Sequence, residues 1–465
     1  MDKFKFCFVS LLLWCSFASA AELETSEPAK AVFNMWVNAL NSGDPVKIQA
    51  YLSKYEKDKN VTVESELEFR NITGGFTVLR STNITPNELH AFLRQRNSDR
   101  ALLLTIIVDE KNPTNIVKFQ LEGTELPEEL RVKRMTLPVL LGQARSKLDV
   151  LEKSDKISGT LILAQEDKMV FHWTGGDADR DRKLAINQNT KFRIASAGKM
   201  FTSVAILQLV EAGKLSLGDS IAKHLPDYPD KSIAERITIR QLLNHTSGLG
   251  DIFDDEFAKN APLLKTHADY VRHYGSKPLA FEPGTQDAYS NFGYIVLGAI
   301  IESASGQTYY DYVQQYIFAP AGMISTGAEP ESTDVPGRAI AYTNADGKWV
   351  AETALPWRGT AAGGCYSTAG DLMKFANALQ KGELISASNL EAATSPQNNK
   401  HWYGFGFMPE GKGKDRRYGH EGGAPGMNAA VFIYPSKNYV VIGLSNFDPS
   451  TMGEMANFIG NRLPL

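Results

Sequence analysis

Two apolar hairpins near the ends of the chain's larger part constrain its fold more than any other feature. ISGTLILAQEDKMVFHW (residues 157–173) and AAVFIYPSKNYVVIGLSNF (residues 429–447) each read as two strand-forming runs about a polar turn. A helical pattern, LLGQARSKLDVLEK, precedes the first hairpin, and another, STMGEMANFIGNRL, follows the second. The intervening residues are mostly helical and punctuated by Gly and Pro. Strands at both ends with helices between them imply one antiparallel sheet built from both termini, flanked by helices, with a helical subdomain inserted. The expected class is α/β (α+β), over residues 137–465.

Upstream, residues 28–56 carry two amphipathic patterns, PAKAVFNMWVNAL and PVKIQAYLSKY, split by the turn NSGD. Four strand-like runs follow: GGFTVLRST, ELHAFLRQR, ALLLTIIVDE and IVKFQLEG. This predicts a small α+β domain over residues 21–125, joined by a linker over residues 126–136. Its layout resembles the NTF2-like domains that precede some exported serine hydrolases. The first 20 residues, MDKFKFCFVSLLLWCSFASA, combine Lys3 and Lys5, a short apolar stretch and Ala18-Ser19-Ala20. That is the pattern of a cleaved signal peptide, so a periplasmic or secreted protein is expected. The apolar run is shorter than the ~20 residues needed to cross a bilayer, so no stable membrane insertion is expected.

Chemistry concentrates at NTKFRIASAGKMF, where Ser196 and Lys199 sit three apart at the start of an apolar helical pattern. Ser196 is expected in the first turn of that helix, with an unpaired N–H at the positive end of the dipole. Lys199 then falls on the same face, ~5–6 Å away between Cβ atoms, where it can share in taking the serine proton. SxxK also occurs at Ser220 and Lys223, but in LGDSIAKHLPDYPD no long helix follows, and that copy reads as structural. PGTQDAYSNFGYIVLG places Tyr289 and Asn291 between a Gly/Pro loop and an apolar helix; a tyrosine beside an ammonium is expected to have its pKa lowered. A second YxN, at Tyr342 and Asn344, reads as a turn. In RRYGHEGGAPGMNAAVFIY, His420-Glu421-Gly422-Gly423 enters a strand, and Gly423 is expected to offer an oxyanion N–H beside that of Ser196.

Taken in order, Ser196/Lys199, Tyr289/Asn291 and His420/Gly422 resemble the motifs of the serine β-lactamase and DD-peptidase superfamily, nearest its class C-like group. LLNHTSGL (residues 242–249) and GGCYSTAGDLMKFANAL (residues 363–379) are further stretches that match. The resemblance implies Ser196 as acylated nucleophile and Lys199 and Tyr289 as the proton-handling pair. Asn291 would orient Lys199 and a substrate carbonyl, and His420 would stand where many relatives have lysine. Glu421 occupies a position where relatives usually carry a hydroxyl that binds a substrate carboxylate. If it faces the site it acts as a filter against anionic substrates; if it faces solvent, little changes.

The remaining features narrow the class. A net charge of −4 with no long charge run gives no footprint for nucleic acid. With Cys7 and Cys15 in the leader, only Cys365 remains, and without a His or basic neighbour it reads as buried filler. No HxxH or HExxH spacing occurs, so neither metal nor cofactor is expected. His245 could suggest a triad, but reads as a loop residue holding a turn, and no GxSxG elbow is present. The expected protein is a serine hydrolase acting on a small-molecule or peptide substrate, whether β-lactam, D-amino-acid peptide or ester. The alternative is a ligand-binding or penicillin-sensing protein that keeps the pocket without turnover.

Overall fold

The computed structural model describes residues 27–56, 61–254 and 257–465, so the expected signal peptide lies outside the described residues. The chain divides into two compact units, one ending at Arg131 and the other spanning Val132–Leu465. Helices of eight or more residues and strands of seven or more are numbered in chain order.

In the first unit, α1 (Pro28–Ser42) begins with proline in its first turn and stops at Gly43, whose φ of 64° suits a residue without Cβ. α2 (Pro45–Tyr55) is capped by Asp44, and α3 (Val63–Thr73) by a Thr62/Ser65 capping box. α3 escaped the sequence reading because it buries little, so its apolar periodicity is weak. Strands β1 (Phe76–Thr85), β2 (Glu88–Gln95), β3 (Ala101–Val108) and β4 (Ile116–Gly123) form an antiparallel meander in that order. Alternate residues of β2 and β3, among them Leu89, Leu93, Leu104 and Ile106, pack with Trp36 and Phe33 of α1.

The second unit is built on a five-stranded antiparallel sheet in the order β7-β8-β9-β5-β6, where β5 is Gly159–Gln165, β6 Lys168–Gly175, β7 Tyr418–Ala424, β8 Met427–Tyr434 and β9 Tyr439–Ser445. β5 pairs with β9 from Gly159↔Ser445 to Gln165↔Tyr439, so the two terminal hairpins join as their patterns predict. Every residue of β8 and β9 is buried, because both faces are covered. α4 (Leu137–Lys153) and α9 (Thr451–Gly460) pack with Leu161, Phe432 and Val441 on one side. On the other side, Ile162, Val431 and Ile442 belong to one core with α5 (Lys199–Glu211), α6 (His267–Tyr274), α7 (Asn291–Ser305) and α8 (Ala369–Gln380). This is the β-lactamase/DD-peptidase-like arrangement. Among the described residues no helix is long and apolar enough to cross a membrane.

Candidate active site

α5 is apolar on nearly every side, and ten of its residues are buried. Its first residue, Lys199, is an amine with no exposed surface. Ser196 lies one step earlier, in the 3-10 turn Ala195–Gly198 rather than in the helix proper. The turn is sharpened by Ala195, whose φ of 43° is in the left-handed region that alanine seldom visits. Gly364 N–H holds the Ala195 carbonyl at 3.1 Å, and a Cβ on Gly363 would lie only 2.3 Å from that oxygen. The Gly363-Gly364 pair therefore lets a second segment clamp the turn and leave Ser196 half-buried at its apex.

Lys199 Nζ lies 3.2 Å from Ser196 Oγ, 2.7 Å from Asn291 Oδ1 and 2.5 Å from the Ala362 carbonyl. It also sits over the rings of Tyr289 and Tyr294, at 4.8 and 5.4 Å from their centroids. Burial pushes its pKa down to about 7, partly opposed by the Asp251 carboxylate. Tyr289 is 37 % exposed as a residue, while its hydroxyl meets Ser196. The expected lowering of its pKa is corrected here: burial raises it, and the Ser196 hydrogen bond offsets only part of that.

Asn291 opens α7, behind the cap residue Ser290, whose Oγ accepts from Gly293 N–H. Its Nδ2 donates to Asp251 Oδ2 at 2.9 Å, which leaves Oδ1 for Lys199. Asp251 was missed by sequence reasoning because a lone aspartate in HTSGLGD carries no spacing signal. Ala362, Tyr294 and Tyr403 were missed for the same reason: their contributions are a carbonyl or a buried ring.

β7 is an edge strand, and Gly419 O accepts Met408 N–H at 2.7 Å on its unpaired side. The two-residue strand period puts the backbone groups of Glu421 and Gly423 on that same edge. The edge lies against the nucleophile turn: a Cβ on Gly422 would sit 2.2 Å from the Ile194 carbonyl and 3.1 Å from Ala197 N. Side chains alternate the other way. His420 is buried toward Tyr403, whereas the exposed Glu421 accepts from Asn457 of α9 at 3.2 Å, across the sheet from Lys199. The filter expected of Glu421 is therefore withdrawn.

His420 departs from expectation too. Its Nδ1 meets the Glu421 carbonyl, which can only accept, so Nδ1 bears the proton and Nε2 accepts from Tyr403 Oη at 2.8 Å. Burial and the nearby Lys199 hold its pKa down to about 3, so it is neutral and adds no charge to the site. The consequence for stability has a definite sign. An unfolded imidazole binds a proton near pH 6.5, whereas the folded one does so only near 3, so stability is lost as pH falls below 6.5. By pH 5 this single group costs about 2 kcal/mol. Denaturant titrations of wild type and His420→Gln should show the wild type falling more steeply between pH 6.5 and 5. Parallel pH dependences would mean that His420 charges without unfolding.

Several other motifs lie elsewhere. Lys223 of the second SxxK is paired with Asp219 at 2.8 Å, its side chain 60 % exposed. Tyr342 and Asn344 are in a two-stranded hairpin, not a turn alone. Cys365 is buried, and its thiol is pushed up to about 12, as suits a packing residue.

A serine on a strained turn, a buried lysine touching its oxygen, and an edge strand beside them are arranged as in a serine hydrolase of the β-lactamase-related fold. The chain belongs to the Beta-lactamase family, whose model matches residues 145–462. It is 32% identical to Penicillin-binding protein 4* of Bacillus subtilis (strain 168) over 332 residues, covering 66% of this chain and 72% of that one. Among solved structures, a penicillin binding protein from Bacillus halodurans matches with a TM-score of 0.61 and 32% identity, over 66% of this chain and 97% of its own. The D-amino acid amidase from Ochrobactrum anthropi SV3, complexed with L-phenylalanine amide, matches with a TM-score of 0.58 and 26% identity, over 69% and 97%.

Proposed function

We propose that this chain is a serine hydrolase that forms an acyl-enzyme at Ser196 and releases it to water. The contact that carries the reading is a single one: a buried lysine, titrating near neutrality, 3.2 Å from the serine oxygen. Neutral Lys199 takes the Ser196 proton as Oγ attacks the substrate carbonyl carbon. The N–H groups of Ser196 and Gly423 receive the oxyanion. As the tetrahedral adduct collapses, the bond to the leaving group breaks and a proton passes to that group from the Lys199 ammonium through the Tyr289 phenol. Water then attacks the acyl carbon, gives its proton back along the same pair, and Ser196 Oγ leaves with a proton. Tyr289 serves as the relay because burial keeps it protonated, while Lys199 is the group free to accept.

Substrates are small amides, esters or β-lactams, a class supported by the penicillin-binding proteins and D-amino acid amidase that the chain resembles. Export through cleavage of residues 1–20, to the periplasm or beyond, belongs to the same proposal, as does an NTF2-like character for the first unit. Incubation with a p-nitrophenyl ester followed by intact-mass spectrometry should show a transient acyl adduct that disappears as nitrophenol accumulates. An adduct that persists without turnover would leave a sensor in place of a hydrolase; no adduct with any acylating probe would reject both. Because the Glu421 side chain turns to Asn457 of α9, Glu421→Thr should leave the ratio of kcat/KM for a penicillin to that for a neutral ester within about twofold of wild type. A several-fold rise would return Glu421 to the substrate side.

A further inference from the structure

We infer that residues 245–251, the loop HTSGLGD, are a positioning template for the proton-handling groups: His245 fixes the backbone of Tyr289, and Asp251 fixes the amide of Asn291 that holds Lys199. The inference rests on the hydrolase reading and adds to it an element outside the three motifs.

The first contact set brackets Tyr289. The His245 carbonyl accepts from Ala288 N–H at 3.0 Å, and its Nδ1 accepts from Ser290 N–H at 3.2 Å, so both chain neighbours of Tyr289 are tied to one residue. The imidazole packs on the Tyr289 ring, 4.3 Å between centroids, and lies parallel to Trp402 at 5.9 Å. Because an N–H donates to Nδ1, that nitrogen is unprotonated, and the ring acts as an acceptor rather than a charge. The residue is buried and held at a φ of 62°, a left-handed backbone for which histidine has little liking. One residue further, Ser290 Oγ donates to Gly250 O at 2.7 Å, which ties the start of α7 to the same loop.

The second contact set orients Asn291. A carboxylate can only accept, so Asp251 Oδ2 takes Asn291 Nδ2–H and forces Oδ1 toward Lys199. A flipped amide would aim N–H groups at an ammonium. Asp251 is itself held, its Oδ1 accepting from Ile252 N–H at 2.7 Å. The titratable groups facing Lys199 are the carboxylate of Asp251, the imidazoles of His245 and His420, and the phenols of Tyr289 and Tyr294. Among them only Asp251 is a carboxylate, and its electrostatic attraction supports the protonated lysine.

The two contact sets have separate tests, both read as ratios to wild type on a p-nitrophenyl ester. Asp251→Asn removes the charge, so the acid limb of kcat/KM should move to lower pH by at least about half a unit. Asp251→Ala also frees the amide, and kcat should fall roughly tenfold or more with KM nearly constant. His245→Phe keeps a flat ring without an acceptor and should lower kcat to a similar extent. His245→Asn restores an acceptor in a residue that tolerates positive φ, and should recover most of that loss. An unmoved acid limb in Asp251→Asn, together with wild-type kcat in Asp251→Ala, overturns the template. So does equal kcat in His245→Phe and His245→Asn; should the phenylalanine variant not fold, the Asp251 pair decides. A wild type inert to every acylating probe would remove the hydrolase reading and the template with it.

Discussion

Ser196→Ala should lower ester hydrolysis by at least ~10⁴-fold while leaving the thermal midpoint within a degree or two of wild type. The asymmetry follows from where the hydroxyl stands. Ser196 is half-buried at the apex of a turn, and its oxygen meets Lys199 and Tyr289, of which Lys199 is held independently by Asn291 and the Ala362 carbonyl. The turn itself is held by backbone contacts that alanine keeps, from Gly364 N–H to Ala195 O and from Ile194 N–H to Cys365 O. Ser220→Ala should change neither property, since its partner Lys223 is largely in solvent on Asp219. Steady-state rates and melting curves on the three proteins settle the choice between the two SxxK copies. Comparable loss of turnover in both variants would reject the choice of Ser196 over Ser220.

The second large effect belongs to Lys199→Met, which should cost ~10³–10⁴-fold in kcat/KM by removing the base. The wild-type rate should rise with pH through about 7, as the lysine loses its proton, and the variant's residual rate should not. Stability should move the other way. In the unfolded chain a lysine holds its proton to about pH 10.4; in the folded one it releases it near 7, so burial of the charge opposes folding by roughly 4–5 kcal/mol at and below neutrality. That cost fades as pH climbs from 7 to 10. The methionine variant loses the charge but leaves Asn291 Oδ1 and the Ala362 carbonyl without their donor, at about 1–3 kcal/mol each. Relative to wild type, the variant should therefore be at its most stable near pH 7 and lose that advantage toward pH 10. A constant difference across that range would mean that Lys199 titrates normally.

The fold was legible wherever the burial pattern is one-sided or continuous. The hairpins at residues 157–173 and 429–447 announced a sheet because β5, β8 and β9 are apolar on both faces, and the meander of the first unit showed because β2 and β3 alternate. α3 was illegible because only Thr73 of it is fully buried, and its apolar Val63, Leu67 and Phe69 lie half-buried at the edge of the core. Within the site, residues whose chemistry resides in the side chain stood out: Ser196, Lys199, Tyr289 and Asn291 are brought together as their order suggested. What could not be read was the sign of the environment. Proximity to an ammonium argues for a lowered Tyr289 pKa, and desolvation, a property of the finished fold, reverses it. The side of the strand on which Glu421 falls is a matter of register, and register is set by pairing with β8 rather than by the residue itself.

The pairing of β5 with β9 also governs when the molecule can become a catalyst. Ser196 lies early in the second unit, but the edge strand that frames it, β7, and the two strands that carry β7 to β5 are all made long after it. Closing so long a loop has an entropic cost that is offset only once β9 is in register, so folding of this unit waits until β9 has been made. A ribosome-bound chain that already includes Lys199 and Asn291 therefore holds a serine without the Gly423 N–H or its completed sheet. Acylating power should switch on late and all at once, and a chain cut short before Tyr439 should have none.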